Sequence, residues 1–349
     1  MRPSLLTLVW FAMPCGPILT MTDGWTCWWQ GNGCRLLSLK TPVVNLRGLI
    51  QGLKIGKGWW SSLLSGDFDN DGDMDYVAGN LGVNSLSRAS ETRPVSMYAK
   101  DFNNDGYFDA IPTVFYEALD NTYKEFPYNT RDDMGKQIIQ VRQRFQEYGK
   151  FAESGLSDIL KPEELKDALH VSATWMRSSY VENQGNGKFM IHELPIQAQF
   201  APIFGMIADD FDQDGNLDVM ISGNDYGSEV SVGRYDAFYG LVLKGNGKGN
   251  FQPLTLAQSG YSTSGNAKGL VRLAAPGNRW LTVTSQNRDS LRFHQSISEV
   301  RQVALLPNET TVTLQLKNGK SRRKKLATAH RSYLSPRTRC SCQDICGGP

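Results

Sequence analysis

The sequence predicts an all-β protein assembled from repeated units, and three observations carry this prediction. A nine-residue aspartate-rich loop occurs three times, each time followed by a strand-like run. A G-x-G-x-F turn occurs twice, each time after such a run. Glycine is frequent, with 34 residues among 349, whereas histidine is scarce, with 4. Many turn residues and few histidines favour a turn-rich β protein over an enzyme that holds its metal through histidine.

The overall composition excludes several classes of protein. Hydrophobic residues make up 40% of the chain and charged residues 21%, which is typical of a globular protein and not of a disordered one. The 37 Lys and Arg nearly balance the 35 Asp and Glu. With no overall positive field, we expect no nucleic-acid partner. No apolar run reaches about 18 residues, so we expect no membrane-spanning segment.

The three loops share the pattern D-F-[DN]-x-D-G-x-Φ-D, where Φ is apolar, and comprise residues 67–75, 101–109 and 210–218. Carboxylate or amide oxygens at positions 1, 3, 5 and 9 can converge on one cation, and oxygen-only ligands suit Ca²⁺. Position 7 varies, which fits a backbone carbonyl ligand. The predicted metal ligands are Asp67, Asp69, Asp71, Asp73, Asp75, Asp101, Asn103, Asp105, Tyr107, Asp109, Asp210, Asp212, Asp214, Asn216 and Asp218.

The remaining loop positions also have predicted roles. Glycine at position 6 permits the positive φ of a sharp reversal. The apolar residues at positions 2 and 8 are expected to anchor each loop in a core. An EF-hand is excluded, because its position 12 requires a bidentate Glu and these loops have Ala78, Pro112 and Ile221 there. A second alternative stays open, in which the aspartates form polar turns without metal.

Together these motifs resemble the FG-GAP or VCBS repeats, which build integrin-α-like β-propellers. The signature is the aspartate loop, a strand, and a later N-x-G-x-G-x-F hairpin, whose G-x-G-x-F part is here at residues 185–189 and 247–251. The resemblance covers about Gly58 to Phe293 and is closest to bacterial secreted or surface members, often associated with an ASPIC/UnbV-type segment. It implies Ca²⁺ in the loops and an extracellular, periplasmic or outer-membrane-surface location. Because only three loops are intact, we expect a partial or irregular propeller, with exposed strand edges near residues 45–60 and beyond 295.

Between about residues 127 and 175 the apolar spacing becomes helical. Ile138, Val141, Phe145 and Tyr148 fall on one helical face, and Pro162 marks a helix start. We therefore predict an α-helical cap inserted into the propeller repeats of residues 45–295. Two roles stay open for it, a packing lid or a ligand-binding cap. A C-terminal β segment is expected at 296–329.

The two ends of the chain, residues 1–44 and 330–349, differ from the rest. All six cysteines lie there. Residues 1–13 can be a secretory signal peptide, with Arg2 before a short apolar stretch, although no clean cleavage site follows. Alternatively, both ends are out-of-frame translation. We predict that both ends, an atypical N-terminal segment and a Cys-rich tail, are poorly ordered.

The predicted function is that of a calcium-binding extracellular β-propeller, an adhesion or recognition module whose Ca²⁺ is structural. Its expected partner is a protein or glycan ligand at the cell surface. The alternative is a glycan-active lyase or hydrolase with its site under the helical cap, but the sequence identifies no catalytic residue. A third, weaker alternative is a component of an outer-membrane assembly.

Overall fold

Antiparallel sheets dominate the part of the chain that the computed structural model describes, residues 57–228 and 232–297. Outside these ranges only the backbone of short strands is described. The all-β class is confirmed. None of the described helices is long and apolar enough to cross a membrane. The predictions for residues 1–44 and 330–349, and most of the predicted exposed edges, concern residues outside the described ranges.

The strands and helices have the following bounds. The strands are β1 (Trp10–Met13), β2 (Gly16–Met21), β3 (Trp25–Trp29), β4 (Cys34–Leu37), β5 (Ser62–Gly66), β6 (Asp75–Gly79), β7 (Val95–Lys100), β8 (Asp109–Glu117), β9 (Tyr123–Pro127), β10 (Leu169–Ala173), β11 (Ser179–Asn183), β12 (Phe189–Glu193), β13 (Ile203–Asp209), β14 (Asp218–Gly223), β15 (Leu241–Gly245), β16 (Phe251–Leu254), β17 (Ala267–Ala275), β18 (Arg279–Gln286), β19 (Arg292–Gln295), β20 (Arg301–Ala304), β21 (Thr311–Gln315), β22 (Ser321–Lys325) and β23 (Arg339–Cys342). The helices are α1 (Arg131–Gln137), α2 (Ile139–Arg144), α3 (Tyr148–Glu153), α4 (Leu156–Ile159), α5 (Pro162–Leu165) and α6 (Leu256–Ser259), with a 3₁₀ turn at Ile196–Gln199.

Two of the sheets repeat one strand order. We call the sheet with the order β12-β11-β6-β5 the first sheet. We call the sheet with the order β13-β14-β15-β16 the middle sheet. In both, an aspartate-rich loop joins strands one and two, and a G-x-G-x-F turn joins strands three and four. The turns close with backbone hydrogen bonds, from Gln184 N to Lys188 O at 2.9 Å and from Asn246 N to Asn250 O at 3.1 Å. Both predicted hairpins are confirmed.

A further sheet is inserted within the first one. The inserted sheet has the order β10-β7-β8-β9 and occupies the connection between β6 and β11. The sequence predicted an insertion beginning near residue 127, whereas the inserted sheet begins at Val95 and includes the second aspartate-rich loop. That loop carries the repeat motif, so its sequence does not reveal that its sheet lies inside another.

Helices α1 to α5 belong to the insertion and pack on the inserted sheet. Met134, Val141 and Ile159 are buried against Ile111 of β8. The predicted helix start at Pro162 is confirmed, and the Glu164 carboxylate accepts a hydrogen bond from Lys161 N at 2.8 Å. The predicted single face is wrong at Tyr148, which is 64% exposed. The reason is that α2 ends before Phe145 and Tyr148 starts a new helix.

The first, middle and last (β17-β18-β19) sheets stack side by side through their first strands. The hydroxyls of Ser61 and Ser62 on the first sheet donate to Ile203 O at 2.5 and 2.7 Å. A buried asparagine after the second strand links each sheet to the next: Asn80 O accepts from Ile203 N at 3.3 Å, and Asn224 Nδ2 donates to Gly265 O at 2.9 Å. Three of the four sheets in the described ranges thus form a row.

The core between the first and middle sheets lies directly behind the aspartate-rich loops. Phe68, the second residue of the first loop, is 1% exposed and packs edge-to-face on Tyr180 and Phe251. Leu217 of the third loop belongs to the same cluster. The two loops also touch, because Asn70 Nδ2 donates to Asn216 Oδ1 at 3.0 Å. The stacking therefore places loops 67–75 and 210–218 together at one end of the sheets.

Candidate metal sites

All three aspartate-rich loops adopt one backbone conformation. The glycines at position 6 have positive φ, with 93° at Gly72, 89° at Gly106 and 93° at Gly215, as the sequence predicted. Position 4 is also left-handed, which the sequence analysis did not anticipate. The residues there are Asn70, Asn104 and Gln213. Asparagine tolerates this conformation better than most residues do, which offers a signal at two of the three positions.

The same hydrogen bonds recur inside each loop. The carboxylate at position 9 accepts from the backbone N–H at position 2, at 3.1 Å in the first loop, 3.2 Å in the second and 3.0 Å in the third. The side chain at position 3 accepts from the N–H at position 5, and the carboxylate at position 5 accepts from the N–H at position 7. These turns curl each loop around its own side-chain oxygens.

In the first loop, carboxylate oxygens of Asp67, Asp69 and Asp71 lie within 4.8 Å of one another. Burial and the negative charges of neighbouring aspartates together raise the pKa of Asp69 to about 6, against the lowering effect of the Asp71 N–H. The pKa is high because the ionised form is poorly solvated and repelled by like charges. A cation among these oxygens would relieve both penalties.

Asp75, at position 9 of the first loop, is fully buried. Besides the Phe68 N–H, its carboxylate accepts from Tyr180 Oη and from Asn183 N, each at 2.8 Å. Burial nevertheless raises its pKa. Asp75 therefore fastens the loop to β11, the third strand of the first sheet.

In the third loop the corresponding cluster consists of Asp210, Asp212 and Asp218. Asp218 is buried and accepts from Gly245 N at 2.9 Å. Burial and the charges of Asp212 and Asp210 together raise its pKa to about 6, against the lowering effect of the Gly245 and Phe211 N–H groups. This loop also has a cation of its own, since Lys244 Nζ contacts Asp212 and lies 3.1 Å from Asp214.

The second loop is arranged differently. The Asn103 amide donates to Asp105 Oδ2 at 2.9 Å and to Gln137 O of α1 at 2.8 Å. Asp101 accepts from the backbone N–H groups of Asp105 and Gly106. Among the described residues, three acids do not gather in this loop as they do in the other two. The side-chain oxygens of Asp101, Asn103 and Asp105 accept hydrogen bonds from N–H groups of the loop itself.

The prediction that position 8 is always a core anchor is wrong for the second loop. Phe108 is 78% exposed, whereas Leu217 at the same position of the third loop is 6% exposed. Leu217 is buried because the first and middle sheets pack over it. In the described part of the chain, no second sheet covers Phe108 in this way.

The structure thus brings six of the fifteen predicted ligand residues into two acidic clusters. The side chains at position 7 do not join them: Tyr107 is 78% exposed, and Asn216 Oδ1 accepts from Asn70. The expectation that position 7 contributes its backbone carbonyl stays a prediction. The donors are carboxylate oxygens, which suit Ca²⁺ rather than a softer metal.

Sequence reasoning missed the residue that lies opposite position 9 on the third strand. In the first sheet this residue is Glu182, and in the middle sheet it is Lys244. A signal was available, because each stands three residues before the first glycine of its G-x-G-x-F turn.

Comparisons with protein-family models, curated proteins and solved structures found no match to this chain.

Proposed function

We propose that this chain is a calcium-binding recognition module built from propeller-type sheets, in which Ca²⁺ is structural. The observation that carries the proposal is the cluster of Asp67, Asp69 and Asp71, whose carboxylate oxygens lie within 4.8 Å of one another. Like charges this close destabilise a folded protein unless a cation neutralises them. Ca²⁺ fits because it accepts six to eight oxygens in flexible geometry.

Calcium in the first loop would also stabilise contacts that lie outside the nine residues of the loop. The loop joins β5 to β6, and its Phe68 packs in the core shared with the middle sheet. Asn70 links it directly to Asn216 in the third loop. We therefore propose that calcium stabilises the contact between the first and middle sheets. In the FG-GAP or VCBS repeats, which the motifs resemble, the aspartate loops bind Ca²⁺ between strands of a blade.

The recognition role follows from the same architecture. A stable row of sheets is a rigid scaffold on which loops and insertions present a binding surface. The helices on the inserted sheet are the proposed cap, and a protein or glycan at the cell surface is the proposed partner. An extracellular, periplasmic or outer-membrane-surface location belongs to the same proposal, since free Ca²⁺ is plentiful outside cells.

Calorimetric titration with Ca²⁺, paired with thermal unfolding in calcium and in chelator, tests the proposal. We expect heat of binding and a higher Tm in calcium, with about 2.7 kcal/mol of stabilisation per site at a hundredfold excess over Kd. Mg²⁺ should substitute poorly because it requires tighter octahedral geometry. Asp71→Ala should remove most of one site's effect, whereas the control Asp73→Ala should remove little. No heat and an identical melt in chelator would mean that the aspartates only form turns.

A further inference from the structure

The last sheet has one face that packs against the middle sheet. Leu270 of β17 is buried there, and its neighbour on the same face, Arg272, forms an ion pair with Asp209 of β13. Thr284 of β18 lies opposite Leu270 and is fully buried. We call this side of the last sheet the inner face and the opposite side the outer face. The inner face therefore already has its covering layer.

The outer face carries apolar side chains that are exposed to solvent. Val271 and Leu273 alternate with the inner-face residues of β17, and they are 52% and 44% exposed. Val271 lies opposite Val283 of β18, which in turn lies opposite Phe293 of β19, so a row of apolar residues crosses the sheet. Phe293 is 58% exposed. Because sheets are stabilised by burying an apolar face, this surface is suited to a further layer.

Stacking in this molecule follows the order of the chain. The middle sheet follows the first sheet and the last sheet follows the middle sheet, with only residues 194–202 and 255–266 as connections. Each pair stacks through its first strands, β13 beside β5 and β17 beside β13. A sheet that follows β19 after a short connection would therefore come to lie on the outer face, since the middle sheet occupies the inner one.

The sequence after β19 has the pattern of such a sheet. Residues 301–325 contain β20, β21 and β22, and β21 pairs with β22 in antiparallel orientation. Val312, Leu314 and Leu316 alternate with polar residues, which is typical of a strand with one buried face. The sequence of β22 is one serine followed by four basic residues, a composition typical of an edge strand exposed to solvent. The segment thus offers an apolar face and a charged edge.

We propose that residues 301–325 pack on the outer face of the last sheet and add a fourth sheet to the row. The occupant is this segment rather than a second copy of the chain, because residues 296–300 tether it beside the face. A tethered segment meets the face at a high effective concentration, whereas a second copy must be drawn from solution. The inference goes beyond the proposed function and needs no calcium, so each can fail while the other holds.

Hydrogen–deuterium exchange of the full chain tests the proposed packing. An isolated two-stranded hairpin is only marginally stable in water, so slow exchange of residues 311–325 requires a surface to pack on. We expect slow exchange there in the parent protein. In Phe293→Ser the exchange should be roughly tenfold faster, because losing the burial of an aromatic side chain lets the segment open more often.

Two matched controls accompany this variant. Phe108→Ser makes the same change at a ring that is 78% exposed in the second aspartate-rich loop, and it should leave the exchange of residues 311–325 unchanged. Within the segment, Leu314→Ser should accelerate exchange, whereas Gln315→Ser, at the next position in the alternation, should have little effect.

The outcomes decide between the possible occupants of the face. Fast exchange of residues 311–325 in the parent would overturn the proposal, and so would equal exchange in the parent and in Phe293→Ser. Exchange of residues 203–223 in the middle sheet reports whether Phe293→Ser still folds. If it does not, Val271→Thr, which replaces one methyl group by a hydroxyl, should give a smaller acceleration, and no acceleration would overturn the proposal. A dimer of the parent in sedimentation that Phe293→Ser dissociates would assign the face to a second copy instead.

Discussion

Loops 67–75 and 210–218 have the same backbone and different electrostatic surroundings. Both turn at a glycine with φ of 93°, and both bind the position 9 carboxylate to the N–H at position 2. The first loop faces Glu182 and has a buried Asp75 with a tyrosine donor, whereas the third faces Lys244. The nine-residue motif determines the geometry, and the neighbouring strand determines the charge balance. We therefore expect the two loops to respond differently to calcium.

Among the loop carboxylates, the largest loss of stability is expected when the position 9 acid is removed. Asp75→Ala leaves Tyr180 Oη and two backbone N–H groups without an acceptor, whereas Asp218→Ala leaves two backbone N–H groups. Because unsatisfied buried donors are costly, we expect a loss of about 3 kcal/mol or more for Asp75→Ala and about 2 kcal/mol for Asp218→Ala. Urea unfolding in chelator measures both, with Tyr180→Phe as the single-bond control. A loss for Asp75→Ala that is equal to or smaller than the loss for Asp218→Ala would contradict the expected difference between the two loops.

The next comparison asks whether replacing the acid at position 3 raises or lowers the Tm. In chelator, Asp69→Asn removes a charge that neighbouring aspartates repel, so the Tm should rise. Asp212→Asn removes the carboxylate that contacts Lys244, so the Tm should fall. Each change should be about 2–4 °C, the shift for about 1 kcal/mol in a domain of this size. In saturating calcium both variants should be less stable than the parent. Changes of the same sign in chelator would show that the two loops are electrostatically alike.

A smaller effect on the free energy of unfolding is expected from a change of pH. The pKa of Asp69 and that of Asp218 are raised from 3.8 to about 6 in the folded protein. Between these values the folded chain binds more protons than the unfolded chain, so these groups make the free energy of unfolding fall as pH rises from about 4 to about 6, and level off above. Thermal melts in calcium-free buffer should show this slope, and Asp69→Asn should reduce it. In saturating calcium the slope should reverse, because protons then compete with the metal. A slope that Asp69→Asn leaves intact would contradict the assignment.

The sequence was informative where a local pattern dictates a local conformation. The glycines at position 6, both G-x-G-x-F hairpins and the helix start at Pro162 follow from such patterns, and the structure confirms them. It was uninformative where the outcome depends on partners distant in the chain. The inserted sheet contains a standard copy of the loop, so nothing in residues 101–109 reveals its different place. The pairing of Lys244 with Asp212 likewise depends on the register of two strands.

The smallest expected effect is that of removing the Phe108 ring at position 8, where sequence and structure disagree. Leu217 is 6% exposed between two sheets, so Leu217→Ala should cost about 2–4 kcal/mol through lost burial and a cavity. Phe108 is 78% exposed, so Phe108→Ala should change the free energy of unfolding by no more than about 0.5 kcal/mol. Urea unfolding of both variants gives the two numbers. A loss above about 2 kcal/mol for Phe108→Ala would mean that another part of the chain, or a second copy, covers this ring in solution. Repeating the measurement at several protein concentrations separates these two cases, because only association makes stability depend on concentration.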